Sequence, residues 1–204
     1  QGSKRGPLIY FFLLVSNVYS WSCDDAGSDT NVTLSINWLE DETAVCNDGS
    51  QAAYYMKKSA TGSSDWLVYL AGGGMCYDEV SCAERWNGTG YPEHDCESSD
   101  SSSPCFMSSK DYADTCGKTG IFDADPAKSS MFDANKIYLP YCSSDFHIGD
   151  IGDSYIDGFQ FRGASIVRAM LRDLSVSHGL GESPDDLLVF GGGSAGGRGA
   201  MAWL

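Results

Sequence analysis

Positive charge is scarce in this chain: 13 lysines and arginines stand against 28 aspartates and glutamates over 204 residues, a formal net charge of -15. A field of that sign repels polyanions, so neither nucleic acid nor an anionic membrane surface is expected as a partner. Histidine is scarcer still, with only His94, His147 and His178. The apolar run at residues 8–15 is too short to span a bilayer as a helix, and no stable membrane span is expected. The cysteines do not fall into paired C-x-x-C sets, which argues against structural zinc. The acidic repeat Ile148-Gly149-Asp150-Ile151-Gly152-Asp153 lacks the spacing and closing Glu of an EF-hand loop. No metal and no cofactor are therefore expected.

What is present points to a secretory route. Lys4 and Arg5 precede the apolar run, and Val18 and Ser20 follow at signal-peptidase spacing, so residues 1–20 are expected to be a leader, with a buried first strand or helix as the structural alternative. Eight cysteines, Cys23, Cys46, Cys76, Cys82, Cys96, Cys105, Cys116 and Cys142, fit an oxidising compartment and predict disulfides. Asn31-Val32-Thr33 and Asn87-Gly88-Thr89 are glycosylation acceptors, which predicts Asn31 and Asn87 at the surface. A chain that is 42% hydrophobic and 12% aromatic is ordinary for a globular domain, here residues 21–204.

Strand and helix signals alternate. Residues 32–36 alternate apolar and polar, and residues 52–56 form a second strand after the turn Asn47-Asp48-Gly49-Ser50, which together predict a hairpin. Residues 66–70, Trp-Leu-Val-Tyr-Leu, are an unbroken apolar strand, expected to be covered on both faces, and three glycines follow at once. From residue 75 to 134 the pattern weakens around a serine-rich tract, which predicts a disulfide-tied insertion. Residues 136–140 resume as a strand. Ile166, Met170 and Leu174 then recur every four residues with Val167 and Leu171 beside them, which predicts a helix over 163–176 stopped by Gly179. A strand over 187–190 and a helix from 198 to 204 complete an α/β order.

The strand at 187–190 runs into Gly191-Gly192-Gly193-Ser194-Ala195-Gly196-Gly197. Gly192-Gly193-Ser194-Ala195-Gly196 fits G-x-S-x-G, the nucleophile elbow, in which small flanking residues let a strained turn expose one hydroxyl. Gly191, Gly193 and Gly196 equally spell G-x-G-x-x-G, the pyrophosphate loop of a dinucleotide fold, and a plain glycine-rich turn is the third reading. Acyl transfer also needs N–H donors for an oxyanion, one from the residue after the serine and others from a loop after an earlier strand. Ala195 and the glycines after residue 70 occupy those places; a dinucleotide fold has no use for the earlier loop.

Taken in order, Cys46-Asn47-Asp48-Gly49-Ser50 with Tyr54, Gly72-Gly73-Gly74-Met75-Cys76 with Cys82, Pro140-Tyr141-Cys142-Ser143-Ser144-Asp145, Phe161-Arg162-Gly163 and Gly193-Ser194-Ala195-Gly196-Gly197 resemble the pectin acetylesterase and Notum family of secreted carboxylesterases. The resemblance implies an α/β-hydrolase-like mixed sheet with Ser194 as nucleophile. It implies the N–H groups of Gly73, Gly74 and Ala195 as the oxyanion hole, a Cys76–Cys82 disulfide bracing that loop, and residues 143–150 lining the pocket. The substrate it implies is an acylated, most simply acetylated, extracellular or cell-wall polysaccharide; a protein-bound fatty acyl group and a non-catalytic binding role are the alternatives. Met75 and Ala71 depart from the aromatic and acidic residues common in the family, which bears on substrate preference.

In this fold the acid and the histidine follow the serine in chain order, yet all three histidines here precede Ser194 and only ten residues follow it. The chain is accordingly expected to be the N-terminal part of a longer enzyme, inactive by itself, with the base and its orienting carboxylate beyond residue 204.

Overall fold

A computed structural model describes residues 8–10, 32–89, 106–156 and 158–203. Its centre is a seven-stranded mixed sheet built from β1 (Leu8–Tyr10), β2 (Val32–Trp38), β3 (Ala53–Lys57), β4 (Asp65–Leu70), β5 (Thr115–Lys118), β6 (Asn135–Leu139) and a last strand (Leu187–Gly192), in the order β1, last strand, β4, β6, β3, β2, β5. A separate antiparallel pair, β7 (Ile151–Ile156) and β8 (Phe159–Phe161), makes the last strand β9 in chain order. Pairings among β1, β9, β4 and β6 are parallel, whereas β3, β2 and β5 are added antiparallel. The helices are α1 (Glu79–Trp86), α2 (Gly163–His178) and α3 (Ala195–Ala202).

The two-residue period of a strand sorts the side chains onto the two faces. Trp66, Val68 and Leu70 of β4 join Ile137 and Leu139 of β6 and Tyr54 of β3 in one core, which α2 covers with Ile166, Val167, Met170 and Leu174. Leu67 and Tyr138 point the other way into a second core with Leu34, Tyr55, Phe122 and Val189. The continuous apolar run of β4 is thus the signature of a strand buried on both sides. The predicted hairpin is present, with Ser35 to Trp38 paired against Met56 to Ala53. α2 ends as expected, on Gly179 in the left-handed conformation at φ 88°.

Two expectations differ from what is observed. The stretch 75–134 is only partly an insertion: Thr115–Lys118 is the outer strand beyond β2, and Phe122 and Met131 are core residues. Thr-Cys-Gly-Lys is too short and too mixed to show alternation. α3 begins at Ala195 rather than Arg198, because a helix can start directly from the serine turn. Of the expected leader, Leu8–Tyr10 pairs in parallel with Leu187 to Val189; its other residues, Asn31, His94, Cys23, Cys96 and Cys105 lie outside the described residues. Among the described residues no helix is long and apolar enough to cross a membrane.

Candidate active site

The register of two parallel strands creates the site. Leu70, the last residue of β4, is paired with Gly192, the last residue of β9, so the loops leaving both strands emerge side by side on one edge of the sheet. Two residues past β9, Ser194 adopts φ 49° and ψ -116°. A left-handed φ at a residue with a side chain costs on the order of 1–3 kcal/mol and persists only where its surroundings enforce it. Here the enforcement comes from close backbone packing. A Cβ on Gly196 would lie 2.0 Å from the Leu70 carbonyl oxygen, and one on Gly192 would lie 2.5 Å from the Gly196 carbonyl carbon. The Gly193 N–H donates to the Leu70 oxygen at 3.1 Å, tying the turn to β4. The motif's spaced glycines are therefore a steric requirement, and the chain that meets it leaves Ser194 exposed at the head of α3.

The β4 loop faces this turn. Ala71 donates to the Leu139 carbonyl at 2.9 Å, and the chain then runs through Gly73 and Gly74 at φ 141° and 79°. A Cβ on Gly73 would be 3.0 Å from the Phe106 ring. The N–H groups of Gly73, Gly74 and Ala195 take no acceptor among the described residues. Ala195 is the first residue of α3, where the helix leaves N–H groups unsatisfied and the dipole favours negative charge.

Behind the glycines stand the disulfide that the resemblance implied and, beside it, a buried polar network that the sequence did not reveal. Cys76 and Cys82 form a disulfide across the start of α1. The helix opens with a capping box in which Asp78 accepts from the Ser81 N–H at 2.7 Å. One turn on, the Arg85 guanidinium is buried, donating to the Gly73 carbonyl and, at 2.8 Å, to Ser144 Oγ. It lies 4.9 Å from the Phe106 ring centroid, and burial lowers its pKa to about 10. Ser144 Oγ in turn donates to Asn47 Oδ1 at 2.6 Å, while Asn47 Nδ2 donates to the Ser143 and Gln160 carbonyls. A second disulfide, Cys46–Cys142, joins the same two segments. An arginine in a polar helical sequence gives no sign of burial; the nearest clue was its place three residues after Cys82.

Residues 143–150 open with a tight, hydrogen-bonded turn. Ser143, Ser144 and His147 are fully buried, and Ser144, Phe146 and His147 all have left-handed backbones. Asp145 explains the turn: its carboxylate accepts from Ser143 Oγ at 2.6 Å, the His147 N–H at 3.0 Å and the Gly163 N–H at 2.8 Å. It thereby caps α2, whose own flanking residue Arg162 supplies no side-chain cap. Burial raises the Asp145 pKa to about 6.

Neither described histidine is hydrogen-bonded to Ser194. His147 Nε2 bonds the Ala71 carbonyl at 2.8 Å, and burial lowers its pKa to about 4, so the ring is a neutral strut. His178 sits in the last turn of α2, 3.8 Å from Asp173; its contact is this carboxylate rather than the helix-end carbonyls. Asp150 of the acidic repeat is engaged by Arg168 at 2.9 Å and Ser165 at 2.8 Å. Among the described residues no group of three or more His, Cys, Asp or Glu side chains could hold a metal.

This arrangement of strand, strained serine, helix N-terminus and glycine loop can be set beside known proteins. The human palmitoleoyl-protein carboxylesterase NOTUM is 32% identical over 189 residues, covering 92% of this chain and 34% of that protein. The Drosophila melanogaster protein of the same name is 33% identical over 169 residues, covering 80% of this chain and 23% of that one. An inactive palmitoleoyl-protein carboxylesterase, notum1b of Danio rerio, is 34% identical over 117 residues, or 57% of this chain and 73% of its own length. The chain thus spans about a third of the human relative's length. The pectinacetylesterase family model matches residues 24–204, and the chain belongs to that family.

Proposed function

We propose that the protein is a secreted serine carboxylesterase that removes short acyl groups, acetyl first among them, from extracellular polysaccharide through an acyl-enzyme. The observation that carries this reading is the strained, exposed Ser194 held two residues past β9 beside the Gly73-Gly74 loop. Ser194 Oγ attacks the ester carbonyl, and the Gly73, Gly74 and Ala195 N–H groups receive the developing oxyanion. Removal of one such donor typically costs about 10²–10³ in rate. His147 and His178 are both otherwise engaged, so this reading assigns neither of them as the proton acceptor.

The disulfides fit an extracellular location. Asn87 is exposed at the end of α1, where a glycan could be carried. Because the human and Drosophila relatives are palmitoleoyl-protein carboxylesterases, a fatty-acyl deacylase is the second reading.

The test is fluorophosphonate labelling of the full-length secreted protein against Ser194→Ala, with peptide mapping. Labelling confined to Ser194 is expected; a folded, disulfide-intact wild type that does not label overturns the esterase reading and leaves an extracellular binding protein. Aryl esters of two and ten carbons, compared on the unlabelled wild-type protein, separate the acetyl from the fatty-acyl reading. Activity is expected to survive chelator.

A further inference from the structure

We propose that Arg85 is a positioning residue for the proposed reaction, fixing the Gly73–Gly74 peptide whose N–H, that of Gly74, is one of the oxyanion donors. The inference rests on the serine-esterase reading and adds a residue to its machinery. A glycine loop can turn its peptides either way, so N–H groups are pre-organised for an oxyanion only if something holds the carbonyls on their far side. In this molecule the Gly73 carbonyl accepts from Arg85 Nη1. A carbonyl pulled toward α1 turns the N–H of the same peptide, that of Gly74, in the opposite direction.

The guanidinium is itself held in place. Its Nε donates to Ser144 Oγ at 2.8 Å, its Cζ lies 4.9 Å from the Phe106 ring centroid and 5.6 Å from that of Tyr141, and the residue is 5% exposed. No carboxylate is within ion-pairing distance of it among the described residues, and Nη2 has no partner. A buried cation whose hydrogen bonds go to one loop carbonyl and one hydroxyl is an expensive way to fill space. Planar geometry that reaches two acceptors at once is what distinguishes arginine from lysine here. The Cys76–Cys82 bond and the capping box fix the helix that carries it, so the loop is aimed from a rigid base.

The test compares Arg85→Gln and Arg85→Lys in the full-length secreted protein with wild type. Readouts are kcat and KM on a soluble aryl ester, the Ser194 fluorophosphonate labelling rate, and the urea unfolding midpoint. A displacement of about 1 Å in a catalytic group can cost about 10²-fold. Folded Arg85→Gln is expected to lose roughly ten- to a hundredfold in kcat and in labelling rate, with KM little changed and partial recovery on adding guanidinium ion. Arg85→Lys, which reaches only one of the two acceptors, should fall between. Wild-type kcat and labelling in a folded Arg85→Gln, or a loss confined to KM, overturns the proposal. If neither variant folds, Ser144→Ala, which releases Nε, carries the test in the same terms. A wild type that does not label at Ser194 overturns the esterase reading and the proposal together; labelling in wild type that is undiminished in the variants overturns the proposal alone.

Discussion

Two adjacent glycines should respond very differently to the same added methyl group. At Gly196 an alanine Cβ would stand 2.0 Å from the Leu70 carbonyl oxygen and 2.5 Å from that of Ala71, about 1.4 Å short of the 3.4 Å of ordinary contact. Neither atom is the end of a flexible side chain. The Leu70 oxygen belongs to a central strand and accepts the Gly193 N–H, so relief requires the elbow to lift from β4 and lose that bond. Overpacking of about 1–3 kcal/mol plus about 1 kcal/mol for the hydrogen bond gives a loss of roughly 2–4 kcal/mol for Gly196→Ala. At Gly197 the added carbon would meet the Gly192 oxygen at 3.1 Å, a matter of tenths of an ångström. There the gain in helix propensity, about 1 kcal/mol, offsets the crowding, and Gly197→Ala should stay within about 1 kcal/mol of wild type. Urea unfolding of the full-length protein measures both variants, and Ser194 labelling reports whether the turn survives; Gly196→Ala should label at least tenfold more slowly. If Gly196→Ala unfolds at the wild-type midpoint and labels at the wild-type rate, the glycines do not enforce the serine's conformation.

The Asp145 and His147 pair should make stability nearly independent of pH over a window where each alone would not. Asp145, raised from 3.8 to about 6, contributes stability that is lost as pH rises through that range; His147, lowered from 6.5 to about 4, contributes stability that is lost as pH falls through it, each by about 3 kcal/mol. Asp145→Asn should therefore expose a loss on acidification from about pH 6 to 4 and His147→Gln a loss on raising the pH from about 4 to 6, read from urea midpoints; parallel profiles for all three proteins would refute the assignment. For the disulfides, Cys46–Cys142 closes a separation of 96 residues and Cys76–Cys82 one of 6. Replacing both cysteines of the first pair by serine should cost about 4–5 kcal/mol, against about 2 kcal/mol for the second, whose loss should fall mainly on Ser194 labelling. Equal destabilisation by the two double variants would contradict this.

Much of the molecule was legible in its one-dimensional pattern, for reasons of local physics. An unbroken apolar run such as residues 66–70 has no polar face to show solvent, so its burial on both sides follows from composition alone. The four-residue recurrence of Ile166, Met170 and Leu174 places a helix, and Gly179 ends it. The glycines around Ser194 announce a turn too tight for side chains, although the same letters also spell a nucleotide loop. The glycine loop after residue 70 weighs against the nucleotide loop already in the sequence; the alignment of Leu70 with Gly192 is what brings that loop alongside the serine. Pairing register depends on contacts between residues more than a hundred positions apart, and no local pattern encodes it. The same holds for Arg85, Asp145 and Asn47. Each is a polar residue that ordinary sequence statistics place at the surface; Arg85 and Asn47 are buried and Asp145 half-buried because their hydrogen-bonding partners arrive from other segments. The sequence by itself marked the hairpin, the covered strand, the long helix α2 and the glycine-flanked turn at Ser194. The tertiary structure decided which backbone groups surround that serine and which buried polar side chains hold them there, because those depend on where distant segments meet.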